Sequence, residues 1–249
     1  MPNSLLYALV FLVAVLYSSA GFGGASGYLL SMSFFGIPAN VMSSTALVLN
    51  ILVSTVSFLS YFRAGHFRSK LLIPFLLTSI PAAFLGGTFK LTEQTYFNLL
   101  YAVLTYLALR MTFFPVLSDK SDWTPRPVPL WAALTSGALI GLLSGMIGIG
   151  GGIFLSPLII LAGWGTSKQA AASAGAFIAI NSVSGLIGRI TNGTFSLGEF
   201  GFPLLLVGLI GALIGSQLGA VRFSGANVRR ALGIILVIAV GTYWVNFVQ

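Results

Sequence analysis

Two short strings supply the residue types for chemistry inside an otherwise apolar chain. Gly23-Gly24-Ala25-Ser26-Gly27 is the first, and Gly148-Ile149-Gly150-Gly151-Gly152 is the second. Each glycine disfavours helix by about 1 kcal/mol relative to alanine, so such density breaks a helix, and a new one starts near Gly27 and near Gly152. The first N–H groups of a helix have no intrahelical partner and carry about half a positive charge. Two such starts brought together make an anion site from neutral donors. Glycine lets a ligand oxygen approach the main chain, and Ser26 adds a hydroxyl. Gly23, Gly24, Ala25, Ser26, Gly27, Gly148, Gly150, Gly151 and Gly152 are therefore the candidate substrate-binding residues.

Other polar residues lie on the apolar segments. Ser43, Asn50, Ser54 and Ser57 share one helix face, and Ser173, Asn181 and Ser184 share another. Asn50 and Asn181 join the candidate site as lining groups; helix-to-helix hydrogen bonding is the competing role. Gly24-Ala25-Ser26-Gly27 is also a Gly-x-Ser-Gly string of the kind in which rhomboid-type intramembrane proteases hold their nucleophile. A serine nucleophile needs a base, yet the single histidine, His66, falls in a basic turn, Arg63 to Lys70, and the second string has no serine. Glu93, Asp119, Asp122 and Glu199 fall in loops or at segment ends, which argues against a carboxylate proton relay. With no cysteine, disulfides and thiolate metal sites are excluded. No catalytic residue, metal or cofactor is expected, and the protein reads as no enzyme.

The elements that position these strings follow from composition. Of 249 residues, 57% are apolar and 6% charged, against about 25% charged in soluble domains. A soluble enzyme, a disordered chain and a nucleic-acid-binding module are excluded, and a lipid bilayer is the partner implied. The net charge of +8 reads as topological rather than as a polyanion site. Leu5–Ala20 resembles a secretory signal, but it lacks the basic start and recurs in mid-chain.

The chain is written twice. Gly23 to Ser31 aligns with Gly148 to Ser156 at an offset of 125, and Gly65-His66-Phe67 aligns with Gly193-Thr194-Phe195 at 128. At the latter offset Asn50 falls on Ile178, and Asn181 on Val53. The expected organisation is a first membrane repeat over residues 1–116, a cytoplasmic Pro-rich and charged linker over 117–129, and a second repeat over 130–249. Each repeat holds four apolar segments: Leu5–Phe35, Val41–Phe62, Leu71–Phe89 and Tyr96–Phe114, then Leu130–Leu161, Ala170–Ile190, Phe200–Val221 and Val228–Phe247. The first of each is long and glycine-broken, so it either crosses or turns back. With every segment crossing, Lys and Arg divide seven against five between the two sides. With two re-entrant hairpins they divide ten against two, leaving Lys90 and Arg189 outside, and the positive-inside rule selects this arrangement. The predicted fold is an all-α polytopic membrane protein of two inverted-topology repeats. Each repeat is a glycine-broken re-entrant helical hairpin plus three transmembrane helices, and both termini are non-cytoplasmic. The arm Leu5–Ala20 is long for half a hairpin and is expected to tilt. Small-residue spacing at Gly137/Gly141/Gly145 and Gly211/Gly215/Gly219 predicts close helix packing instead of ligand contact.

Gly-Phe-Gly-Gly-Ala-Ser-Gly-Tyr-Leu from Gly21 and Gly-Ile-Gly-Gly-Gly-Ile-Phe-Leu-Ser-Pro-Leu from Gly148, the latter preceded by Ser-Gly-Met-Ile-Gly, resemble the twin signatures of the sulfite exporter TauE/SafE family. The resemblance covers nearly the whole chain. It implies a bacterial inner-membrane permease for sulfite or a small organosulfonate such as sulfoacetate. Ala25-Ser26 departs from the usual first signature, at the place assigned to the ligand. The expectation is an exporter that exposes a site between the two turns alternately to either side; an anion channel is the nearest alternative. A homo-oligomer is left open.

Overall fold

The computed structural model describes residues 3–19, 23–113, 125–199 and 201–221, together with 237, 240 and 241. Every regular element among them is helical: α1 (Asn3–Ser19), α2 (Ala25–Phe34), α3 (Ala39–Arg63), α4 (Ser69–Thr88), α5 (Glu93–Phe113), α6 (Leu130–Ile147), α7 (Gly152–Leu161), α8 (Ser167–Thr191) and α9 (Gly201–Val221). Gly21, linker residues 117–124, Arg222 and nearly all of the segment Val228–Phe247, with its Arg229 and Arg230, lie outside the described residues.

Burial is reversed relative to a water-soluble domain. Trp131, Leu139, Leu77 and Phe202 are exposed, whereas Asn50, Ser54, Ser173, Asn181 and Ser182 are fully buried. Lipid tails cannot hydrogen-bond, so polar groups turn inward and apolar ones face outward. α3, α4, α6 and α8 are long and apolar enough to cross a membrane.

Glycine rows set the closest pairings. Gly137, Gly141 and Gly145 of α6 lie against the carbonyls of Phe75, Ser79 and Ala83, so α6 runs parallel to α4. Gly211 and Gly215 of α9 lie against the carbonyls of Phe11 and Val15, so α9 runs parallel to α1. These are the packing contacts the small-residue spacing implies. α3 and α8 instead run antiparallel: Gly175 faces Phe58, and Gly185 faces Leu47. Several pairings recur with the halves exchanged. α4 meets α6 as α9 meets α1, α4 meets α8 as α9 meets α3, and α2 meets α3 as α7 meets α8.

Both glycine strings reverse the chain. Gly27 packs on Val13 and Tyr17 of α1, and Gly151 packs on Ile140 of α6. In a continuous helix those positions would stand about 15–20 Å apart. Beyond α7, the Gly163 carbonyl accepts a hydrogen bond from Arg126 N–H at 2.8 Å, just before α6 begins. The two ends of the second glycine-broken segment therefore lie together.

The long arms are accommodated by the turn. α6, with 18 residues, is ~27 Å long, most of a hydrocarbon core. It ends with Gly148 against Ser43, near the start of α3. Gly150 then meets Asn50, and Gly152 meets Ala174 and Ile178. Residues 148–151 thus carry the chain back to the middle of α3 and α8 before α7 starts. On the other side, Ser57 Oγ donates to the Ser18 carbonyl, so α1 also runs past the middle of α3 before Gly23 returns to Asn50.

Candidate functional site

Gly24 and Gly151 are the N-caps of α2 and α7, at φ 85° and 77°. Left-handed backbone of this kind favours glycine strongly, which is why the sequence folds locally as it does. Neither helix start has a side-chain cap. α8, by contrast, opens with a full capping box from Thr166 and Gln169. The orphan N–H groups of α2 and α7 are thus left for another acceptor.

The two turns converge. A β-carbon added to Gly23 would sit 2.9 Å from Asn50 Oδ1 and 3.0 Å from Ile178 Cγ2. One added to Gly150 would sit 2.7 Å from Ile178 Cγ2, 2.9 Å from Asn50 Nδ2 and 3.1 Å from Ser182 Oγ. Asn50 is the twelfth of 25 residues in α3, and Ile178 the twelfth of 25 in α8. The meeting point is therefore the middle of the two longest helices, and Asn50 and Ile178 are the pair that the repeat superposes.

Two buried polar groups at this point lack a hydrogen-bond partner, Asn50 Oδ1 and Ser182 Oγ, and so does Tyr28 Oη at the neighbouring Gly24. Tyr28 folds back over Gly24, with Oη 2.8 Å from where a β-carbon of Gly24 would lie. Asn50 Nδ2 donates to the Gly148 carbonyl at 3.2 Å. An unpaired buried polar group costs about 1–3 kcal/mol, and these lie beside two uncapped helix starts.

The remaining candidates divide. Ala25 and Ser26 are buried in the first turn of α2, and the Ser26 hydroxyl shares a 2.7 Å hydrogen bond with Tyr17. His66, which the protease alternative would need, turns toward Tyr61 beyond the end of α3. Gly27 faces α1, Gly151 faces Ile140 and Phe177, and Gly152 faces α8, all as close packing. Asn181 donates to the Phe177 carbonyl on its own helix at 2.9 Å. Ser182, its neighbour, faces Gly150 and escaped the sequence reading. The signal was present, because Ser182 falls on Ser54 at the offset that places Ile178 on Asn50. Tyr28 was within the first string's reach, four residues after Gly24.

Arg189 is buried as well. It donates to the carbonyls of Gly145 at 3.1 Å and Met146 at 2.7 Å. Tyr96 Oη donates to the next carbonyl, Ile147, at 3.0 Å. With Asn50 on Gly148, four successive carbonyls at the negative end of α6 are held by side chains from three other helices. The guanidinium complements the helix dipole there and adjoins the turn without joining the cluster at Gly23 and Gly150.

The sequence profile of the sulfite exporter TauE/SafE family matches residues 6–243, which is nearly the whole chain. This chain belongs to that family. A probable membrane transporter protein of Sinorhizobium fredii is 34% identical over 233 residues, covering 92% of this chain and 93% of its own length. Another probable membrane transporter protein, from Methanocaldococcus jannaschii, is 26% identical and covers 86% of this chain and 84% of its own. A third, from Haemophilus influenzae, is 26% identical over 74% of this chain and 73% of its own. No solved structure matches. The TauE/SafE assignment makes this a membrane protein of a transporter family, with the convergence of its two glycine turns as the feature to be explained.

Proposed function

We propose that this TauE/SafE protein exports a small sulfur-containing anion, sulfite or a small organosulfonate, by alternating access at a site between the two glycine turns. Gly23 from one hairpin and Gly150 from the other meet at Asn50 and Ile178, and this observation carries the reading. Donors are the first N–H groups of α2 and α7, Ser182, Tyr28 and Ser26. Partial charges of this kind hold an anion without a fixed cation, and a site that must release its ligand benefits from that.

The alternating mechanism rests on two inverted repeats, residues 1–116 and 130–249, joined by a cytoplasmic linker at 117–129. The antiparallel α3–α8 pair supports this. At an offset of 127 to 128, Phe58 falls on Gly185 and Leu47 on Gly175, so the contacts Phe58–Gly175 and Leu47–Gly185 exchange. A pseudo-two-fold that maps antiparallel helices onto each other lies across the helix axes, as in inverted-repeat transporters. The bacterial inner membrane with non-cytoplasmic termini is the setting proposed.

Reconstituted protein tests this. Labelled sulfite entry into proteoliposomes should saturate, and sulfite or sulfoacetate loaded inside should accelerate it. Gly150→Ala, monodisperse by size exclusion, should reduce the flux at least tenfold. Flux that rises without saturation and ignores internal anion would identify a channel.

A further inference from the structure

Asn50 is oriented by what it already does. Its Nδ2 donates to the Gly148 carbonyl at 3.2 Å, and a carbonyl can only accept. The amide therefore cannot be turned over, and Oδ1 must face the other way. There, against Gly23, it is fully buried and has no donor. A plain anion offers nothing to this atom: it brings oxygen lone pairs against an amide oxygen. The other unpaired groups, Ser182 Oγ and Tyr28 Oη, can each donate to a ligand. The cluster at Gly23 and Gly150 therefore presents donors together with one obligatory acceptor.

We propose that this site selects a singly protonated oxyanion, whose own proton is donated to Asn50 Oδ1 while its remaining oxygens accept from the starts of α2 and α7, Ser182 and Tyr28. The inference rests on the anion-site reading above and narrows it to hydrogen sulfite over fully ionised sulfite and over anions without a proton. A ligand lacking the proton leaves Oδ1 unpaired beside a like dipole, which costs about tenfold or more in affinity. The titratable and charged side chains on the helices around Asn50 are Tyr7, Tyr17, Tyr28, Tyr61, Arg63, Glu93, Tyr96, Tyr101, Tyr106, Arg110, Lys168 and Arg189. Glu93, at the start of α5 against Ala39 N–H, is a carboxylate, a type that ordinarily titrates well below neutrality, and the one imidazole, His66, lies beyond the end of α3. Phenols, ammonium and guanidinium groups ordinarily titrate well above neutrality. A pH response near neutrality therefore belongs to the ligand.

Chlorate is the discriminating probe. It has the same pyramidal three-oxygen shape and single negative charge as hydrogen sulfite, and no proton. With wild-type proteoliposomes on either side of neutrality, at fixed total sulfite, initial uptake should follow the hydrogen sulfite fraction. Chlorate should compete at least tenfold more weakly than hydrogen sulfite. In Asn50→Leu the acceptor is gone, and the two anions should compete within about twofold. Sulfite uptake that is saturable but follows the fully ionised form, or chlorate competing equally with hydrogen sulfite in wild type, would overturn the selection while leaving sulfite transport intact. No saturable uptake of sulfite at any pH would overturn the transport reading itself. The wild-type arms decide the matter even where Asn50→Leu fails to fold.

Discussion

Ser182 places a fully buried hydroxyl beside Gly150 with nothing to bond to. A ligand oxygen accepting from it should gain about 0.5–1.5 kcal/mol. Ser182→Ala should therefore raise the apparent KM for sulfite two- to tenfold, with the unfolding temperature in detergent unchanged. Asn181→Ala should leave KM within twofold, because that amide serves its own helix at Phe177. Equal effects in the two variants would remove Ser182 from the site. The contrast marks what residue types alone could reveal. Asparagine at mid-segment is conspicuous, and Asn50 does meet both turns. Serine is common on these helices, so nothing but the repeat offset separated Ser182 from Ser173 or Ser184. The roles among the glycines were equally hidden, since a glycine that admits a ligand and one that admits a neighbouring helix look alike until the neighbour is known. Gly27 has Val13 against it, whereas Gly23 has Asn50.

At the scale of elements, the end of α6 is the best-anchored feature near the site. Arg189 supplies two of the hydrogen bonds there, to the Gly145 and Met146 carbonyls. Arg189→Met would leave those carbonyls without their donor, and a lost charge-assisted pair of this kind costs about 2–3 kcal/mol. The expected result is a clear fall in thermal stability in detergent, with Arg189→Lys recovering part of it. Anion affinity in Arg189→Gln should stay within about threefold, roughly 0.7 kcal/mol. A hundredfold loss of binding in folded protein would instead make the arginine a ligand. The α4–α6 seam has a sharper steric limit. Gly141→Val would drive a branched side chain into the Ser79 backbone and should prevent accumulation of folded protein. Gly65→Ala has open space around it and should cost only about 1 kcal/mol for its left-handed backbone. The glycine breaks and these small-residue seams were legible because each has a local sequence mark. Which helix each seam meets was not, because parallel α4–α6 and α1–α9 pairings join segments distant in the chain.

Among the described helices the α4–α6 and α1–α9 pairings answer each other with the halves exchanged, and the proposed mechanism makes that exchange a motion. If the repeats rock, α3 must shift against α8, and the contacts Phe58–Gly175 and Leu47–Gly185 must open alternately. Single cysteines should first fix the orientation: a label that cannot cross the membrane should reach positions 69 and 121 only from the cytoplasm, and position 3 only from outside. The chain has no cysteine of its own, so an introduced pair has no background. A β-carbon at Gly175 would lie 3.2 Å from Phe58 Cβ, so that a shift of a few tenths of an ångström reaches the separation a disulfide spans. Phe58→Cys combined with Gly175→Cys should therefore cross-link under mild oxidant and tie α3 to α8 on one side of Asn50. Turnover should then fall to background, while anion binding persists because the cluster at Gly23 and Gly150 lies on the other side of the link. Reductant should restore flux, which separates a mechanical block from damage by the substitutions. Each single cysteine should be insensitive to oxidant. Full sulfite exchange in protein shown to be cross-linked would mean that α3 and α8 move as one body, and that access to the site is opened by the hairpins alone.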